Sequence, residues 1–121
     1  GETEIVLSQL ARLLADEVGA KAILAASITG ETGRQISRFR PELPIFVATD
    51  TETVQRQLNL SWGIRPFILP PCKSIEELVE RSLVYLKQNK EIKKGDKIII
   101  VAGEPVGHAG GVNLVEVKMV V

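Results

Sequence analysis

The sequence predicts an α/β fold, a three-layer α/β/α sandwich around a five-stranded, mostly parallel sheet with an antiparallel last strand. Three observations predict this fold. Continuous apolar runs of strand length recur along the chain, which is typical of strands buried on both faces. Segments with helical spacing of apolar residues separate most of these runs, as in βαβ units. The last two strand-like segments are joined by a glycine-rich loop, which favours antiparallel pairing.

The first half of the chain alternates predicted helices with buried strands. Gly19 ends the first helix as a C-cap, Pro41 and Pro44 stop the second, and Thr49-Asp50-Thr51 supplies the N-cap of the third. The predicted elements are a helix over Glu4–Val18, a strand over Ala22–Ala26, a helix from about Glu31 to Phe39, a strand over Ile45–Ala48 and a helix from about Glu52 to Leu60.

The second half contains one long helix and three further strand-like segments. Pro70-Pro71 breaks the first of them, and Ser74-Ile75-Glu76-Glu77 opens the helix as a capping box. The last segment alternates imperfectly between polar and apolar residues, which predicts an edge strand. The predicted elements are an extended piece over Arg65–Leu69, a helix from Ser74 to about Asn89, a turn at Lys94-Gly95-Asp96, a strand over Lys97–Ala102 and a strand over Asn113–Val121.

Length and composition limit the classes of function. The 121 residues, 45% hydrophobic and 25% charged, predict one domain over residues 1–121, too short for a (β/α)₈ barrel of roughly 200 residues or more. Fifteen basic and fifteen acidic residues give no net charge, which argues against nucleic acid or a membrane as a partner. A single Cys and a single His leave few metal ligands, and no metal site is predicted. Without a secretory signal, we expect a cytoplasmic protein.

A phosphate site is predicted in the loop that follows the first strand. Ligands of open α/β sheets bind beyond the carboxyl ends of the strands, which singles out residues 27–33, 49–51 and 103–111. In the first of these loops Ser27, Thr29 and Thr32 surround Gly30 at the start of a helix, where free backbone amides attract an anion. The alternative is that these hydroxyls only cap the helix.

Other chemistry-bearing residues are weaker candidates. His108 lies in the second glycine-rich loop without a triad pattern around it, so an enzyme using His108 and Glu104 is a minor hypothesis. Cys72 is predicted to be a packed small residue rather than a nucleophile. A basic cluster could receive a phosphate, a carboxylate or a partner subunit, or form a solvated face; it consists of Arg34, Arg38 and Arg40.

The chain resembles the C-terminal domain of pyruvate kinase, most closely in bacterial members, over nearly its whole length. The similarity rests on short stretches in the same order and spacing. They are Ala20-Lys21-Ala22-Ile23, Ser27-Ile28-Thr29-Gly30, Ile36-Ser37-Arg38-Phe39-Arg40-Pro41, Pro44-Ile45-Phe46-Val47-Ala48-Thr49, Arg56-Gln57-Leu58, Trp62-Gly63-Ile64, and the ending with Lys93-Lys94-Gly95-Asp96, Ala102-Gly103-Glu104-Pro105-Val106-Gly107 and Val112-Asn113-Leu114.

The resemblance implies a regulatory and assembly domain without catalytic residues of its own. In the family an effector such as a sugar phosphate (fructose 1,6-bisphosphate in many members) or AMP places a phosphate in the first loop, and the domain helps to build an oligomer. Carried over to this sequence, the phosphate cradle falls on Ser27, Thr29, Gly30 and Thr32, and a second effector wall falls on Gly107, His108 and Gly110.

The family's chemistry belongs to a separate barrel. That barrel transfers a phosphoryl group from phosphoenolpyruvate to ADP with Mg²⁺ and K⁺, and the resemblance implies that it is absent here. The chain is then either an excised domain, whose own barrel is a partner, or a stand-alone relative. A purely structural interaction module that joins subunits through Asn113–Val121 is the alternative function.

Overall fold

The order of helices and strands agrees with the sequence prediction. The computed structural model of the chain describes residues 2–27, 31–38, 42–103 and 112–121. Its elements are α1 (Glu2–Val18), β1 (Ala22–Ala26), α2 (Glu31–Ser37), β2 (Ile45–Thr49), α3 (Glu52–Leu58), β3 (Ile64–Ile68), α4 (Ile75–Gln88), β4 (Lys97–Gly103) and β5 (Val112–Met119).

The five strands form one sheet in the order β3-β2-β1-β4-β5. The pairs β1–β2, β1–β4 and β2–β3 are parallel, and β4–β5 is antiparallel. Both the mostly parallel sheet and the antiparallel last strand are therefore confirmed. Pro66 lies in β3, an edge strand, where its missing N–H removes no hydrogen bond from the middle of the sheet.

Helices cover both faces of the sheet, but unequally. Ala11 of α1, Ile36 of α2 and Leu58 of α3 pack with Ile23 and Val47 on one face. On the other face, α4 covers the strand residues whose side chains point away from α1. Leu78 and Leu86 of α4 belong to the same core cluster as the strand residues Leu24, Phe46, Phe67 and Ile100. Every residue of β1 and β2 is buried, which explains the continuous apolar runs in their sequences.

A glycine lets α2 lie directly on the sheet. A Cβ atom added at Gly33 would stand 2.5 Å from Cγ2 of Val47, closer than real Cβ atoms approach a neighbour. Gly33 and Val47 are both buried in the core under α2. The close approach fixes the position of α2 on the sheet.

The predicted helix caps are confirmed. Gly19 has a φ of 69°, the left-handed conformation that glycine adopts without strain at a helix C-terminus. The hydroxyl of Thr51 accepts a hydrogen bond from the Val54 amide at 3.2 Å. Similarly, the hydroxyl of Ser74 accepts one from the Glu77 amide at 3.1 Å. These contacts satisfy amides in the first turns of α3 and α4.

Some boundaries differ from the prediction. The third helix ends at Leu58 instead of Leu60, because Leu60 donates to the Gln57 carbonyl in a tighter turn and its side chain is 88% exposed. The last strand ends at Met119, and Val120 instead exchanges backbone hydrogen bonds of 2.8 Å with Gly95 and Asp96. In the part of the chain that is described, no helix has the length and apolar character needed to cross a membrane.

Candidate functional site

The carboxyl ends of β1 and β4 lie where the order of the sheet reverses. From β1 the chain passes through α2 to β2 on one side, whereas from β3 it passes through α4 to β4 on the other side of β1. The carboxyl ends of β1 and β4 are therefore neighbours, and Ala26 is the register partner of Ala102. Such a reversal point opens a crevice in which α/β sheets bind ligands.

The described residues include two of the four predicted for the phosphate cradle. Ser27 follows β1 directly and is buried. Thr32, one residue into α2, is fully buried, and its Oγ1 has no hydrogen-bond partner within the described ranges. Thr29 and Gly30 lie outside the described residues, and so do the predicted effector-wall residues, which are Gly107, His108 and Gly110.

The hydroxyl of Thr32 is a buried hydrogen-bonding group without a partner among the described residues. Leaving such a group buried and unsatisfied costs on the order of 1–3 kcal/mol. The side chain is closed to solvent, so it does not form part of an open surface site.

Ser27 lines a small cleft at the carboxyl ends of β1, β2 and β3. The cleft has a volume of about 60 Å³, and its polar lining includes Thr49, Asp50 and Cys72. The Oγ1 of Thr49 accepts a hydrogen bond from the Thr51 amide at 3.4 Å, which ties the second predicted loop together. The first two loops singled out from the sequence thus share one cleft.

Cys72 is the member of this cleft that sequence reasoning did not place there. Pro70-Pro71 predicted only the end of a strand. No sequence signal shows that Cys72, which follows, lines the same cleft as Ser27. The Cys72 thiol donates to the Pro70 carbonyl at 3.5 Å. Burial raises the pKa of the Cys72 thiol, Glu77 raises it further, and Arg81 opposes both. The raised pKa keeps the thiol protonated and disfavours a nucleophilic role.

The predicted basic cluster is only partly described, and the described residues contain no group suited to a metal ion. Arg34 is half-buried on α2, Arg38 is exposed just after it, and Arg40 lies outside the described residues. Within residues 2–27, 31–38, 42–103 and 112–121, no three His, Cys, Asp or Glu side chains are grouped so that they could hold a metal ion.

Comparisons with known proteins agree on one family. The family model described as "Pyruvate kinase, alpha/beta domain" matches residues 6–118. Pyruvate kinase of Sporosarcina psychrophila is 32% identical over 120 residues, 99% of this chain and 20% of its own length. Pyruvate kinase of Lactobacillus delbrueckii subsp. bulgaricus is 36% identical over 106 residues, 88% of this chain and 18% of its own.

Solved structures give the same result. Pyruvate kinase of Cryptosporidium parvum, in a complex with ADP, superposes with a TM-score of 0.82 and 28% identity; the match covers 98% of this chain and 24% of that one. The chain therefore spans about a fifth to a quarter of the length of the proteins that it matches.

Proposed function

Because the chain belongs to the pyruvate kinase family, through its C-terminal alpha/beta domain, we propose that it is a regulatory and assembly domain. It binds a phosphorylated small-molecule effector, a sugar phosphate or a nucleoside monophosphate, and it contributes to a homo-oligomer. The single observation that supports this proposal best is the Ala26–Ala102 register pair, from which the two predicted effector loops depart.

The proposed effector site combines an amide-rich helix start with hydroxyl donors. Residues 28–30 lie between the end of β1 and the start of α2, so a phosphate held there faces the free amides of the first helical turn. Ser27 and Thr32 flank this loop in the sequence, and both are buried. We therefore propose that Thr29 and the backbone amides contact the phosphate, while Ser27 and Thr32 support the loop. We propose that the loop after β4, with Gly107, His108 and Gly110, forms the opposite wall.

The proposed assembly contact combines the edge strand β5 with α1. Val115 packs into the α1 side of the core, so Val117 and Met119, at alternate positions of the same strand, lie on that side as well. Val117 and Met119 are exposed, and α1 adds an exposed stripe at helical spacing. We call this set the apolar surface; it consists of Val6, Leu10, Leu13, Val117 and Met119.

A structural module without an effector is the second candidate function. Its support is the complete burial of Thr32, which a purely structural helix start would also produce. In that case the first loop only connects β1 with α2, and the apolar surface alone carries the function.

The reaction of the whole protein is part of the proposal. The chain covers a fifth to a quarter of its relatives, so transfer of phosphate from phosphoenolpyruvate to ADP in glycolysis, with Mg²⁺ and K⁺, would take place on a barrel outside these 121 residues. Such a barrel is then the domain's partner within one polypeptide. The cytoplasmic location expected from the sequence remains a prediction.

Titration calorimetry tests the effector proposal. We expect heat of binding from fructose 1,6-bisphosphate or AMP and none from fructose or adenosine, because the phosphate supplies the main interaction. Thr29→Ala should weaken binding about tenfold, the value of one hydrogen bond to a charged group. The matched control is Ser74→Ala, which removes the capping hydroxyl of α4 and lies outside residues 27–33, 49–51 and 103–111. If neither phosphate compound produces heat, only the structural function survives.

A further inference from the structure

One face of the sheet is incompletely covered. Three helices pack on the face under α1, whereas α4 is the only described helix on the other face. On the α4 side, β5 exposes Leu114, Glu116 and Lys118. The space between α4 and β5 is a groove of about 320 Å³, which we call the acidic groove.

The floor and walls of the acidic groove are apolar. Ile100 and Ala102 of β4 form its base. Ile75 and Val79 line the α4 wall, and Leu114, which is 49% exposed, lines the β5 wall. Ile100 and Ala102 are already buried, so a ligand with an apolar side would gain by removing Leu114 and the half-buried Ile75 and Val79 from water.

Carboxylates surround this apolar floor. Glu76 and Glu80 lie one turn apart on α4, and Glu116 faces them from β5, with Lys118 as the cationic residue of the lining. Among the described residues none of the three carboxylates has an ion-pair partner. Glu77, the neighbour of Glu76 in the chain, does pair with Arg81 at 3.3 Å.

Only part of this negative charge stabilises the fold. Glu76 lies in the first turn of α4, where the helix dipole favours a carboxylate, but Glu80 is four residues later and like charges at that spacing repel each other. The same charges repel a phosphate, which makes the acidic groove unsuitable for the effector proposed above. A cationic ligand with an apolar side would relieve the repulsion between these carboxylates and would also cover the exposed apolar side chains of the groove.

We infer that the acidic groove docks a basic amphipathic helix of a partner protein. The helix would lie beside α4 as the second helix of this layer, with apolar side chains on Leu114 and Val79 and with Lys or Arg side chains at Glu76, Glu80 and Glu116. Helices with one apolar face bind grooves of this kind, and complementary charge determines which helix is accepted. This inference does not depend on the effector site.

Fluorescence anisotropy with two synthetic peptides tests the inference. Each peptide has about 15 residues, with Leu at helical spacing and either Lys or Glu at the remaining positions. We expect the Lys peptide to bind and the Glu peptide not to bind. Replacing the groove carboxylates together (Glu76→Gln, Glu80→Gln, Glu116→Gln) should weaken binding of the Lys peptide about tenfold. Leu114→Gln, which changes no charge, should weaken it as well.

The control is a triple variant with the same change in net charge elsewhere on the surface. Asp16→Asn, Glu17→Gln and Glu42→Gln remove three exposed carboxylates outside the groove and should leave binding of the Lys peptide unchanged. Equal weakening by the two triple variants would show an effect of bulk charge and overturn the inference. Absence of binding by the Lys peptide, or equal binding of both peptides, would overturn it too, as would self-association of the chain that Leu114→Gln abolishes.

Discussion

Ala26 and Ala102 are register partners in the parallel pair of β1 and β4, one residue before Ser27 and Gly103. The strands are distant in sequence, with three helices and two other strands between them along the chain. Their pairing places Ser27 and Gly103, the residues at which the two predicted loops begin, at the same edge of the sheet. A site that needs groups from both loops is therefore set by the strand order.

The contact between Gly33 and Val47 yields a stability prediction. Gly33→Ala should lower the free energy of unfolding by about 1–2 kcal/mol, because the overpacking at 2.5 Å exceeds the gain in helix propensity. Urea denaturation measures the change. Val47→Ala removes the methyl group that the new Cβ would strike. The loss of unfolding free energy in the double variant Gly33→Ala/Val47→Ala should therefore be about 1 kcal/mol smaller than the sum of the two single losses. Additive losses would show that the two groups do not collide.

Removing the N-cap of α4 should destabilise the fold. Ser74→Ala should reduce the free energy of unfolding by about 1 kcal/mol, because the Glu77 amide loses its acceptor. Ser74→Asp keeps an acceptor oxygen and should retain most of the stability. Thermal unfolding followed by circular dichroism distinguishes the two variants. Equal stability of Ser74→Ala and the parent chain would contradict the observed capping contact.

The thiol of Cys72 should react slowly with alkylating reagents. Burial is the largest cause of the raised pKa of this thiol. Glu77 raises the pKa further, and Arg81 lowers it. At a fixed pH below that pKa, Glu77→Gln should speed alkylation by iodoacetamide and Arg81→Gln should slow it, because only the thiolate reacts. The pH dependence of the rate measures each pKa. A lower apparent pKa in Arg81→Gln would reverse the assigned signs.

Self-association should depend on the apolar surface. Val117→Lys places a charge on the edge strand β5, on the side of the sheet that α1 covers. This variant should shift the chain toward monomer in sedimentation velocity. Val84→Lys changes a valine of similar exposure on α4 and serves as the control, with no effect expected. If Val84→Lys dissociates the oligomer and Val117→Lys does not, the contact lies on the α4 face.

Local sequence patterns predicted most of the fold. The apolar runs at Ala22–Ala26 and Ile45–Ala48 identified buried strands because each strand is covered on both faces. Capping residues such as Ser74 act within one helical turn, so they could also be recognised from neighbouring residues.

The remaining features depend on contacts between distant residues. Gly33 was not recognised as a packing glycine, because its neighbour Val47 belongs to another element. Likewise, the cleft shared by Ser27 and Cys72 requires β3 and the segment after it to pass beside β1 and β2. The register of Ala26 with Ala102 is also a tertiary contact, and without it the two loops predicted to hold the effector can only be identified separately.

The most direct test of the effector site is a titration of the ¹⁵N-labelled chain with fructose 1,6-bisphosphate and with AMP, followed by amide chemical shifts. We predict that at least one of them shifts amides in residues 27–32 and 103–111 together, and that fructose and adenosine shift neither loop. Unchanged amides in both loops at saturating concentrations, or shifts confined to other surfaces, would contradict the proposed site.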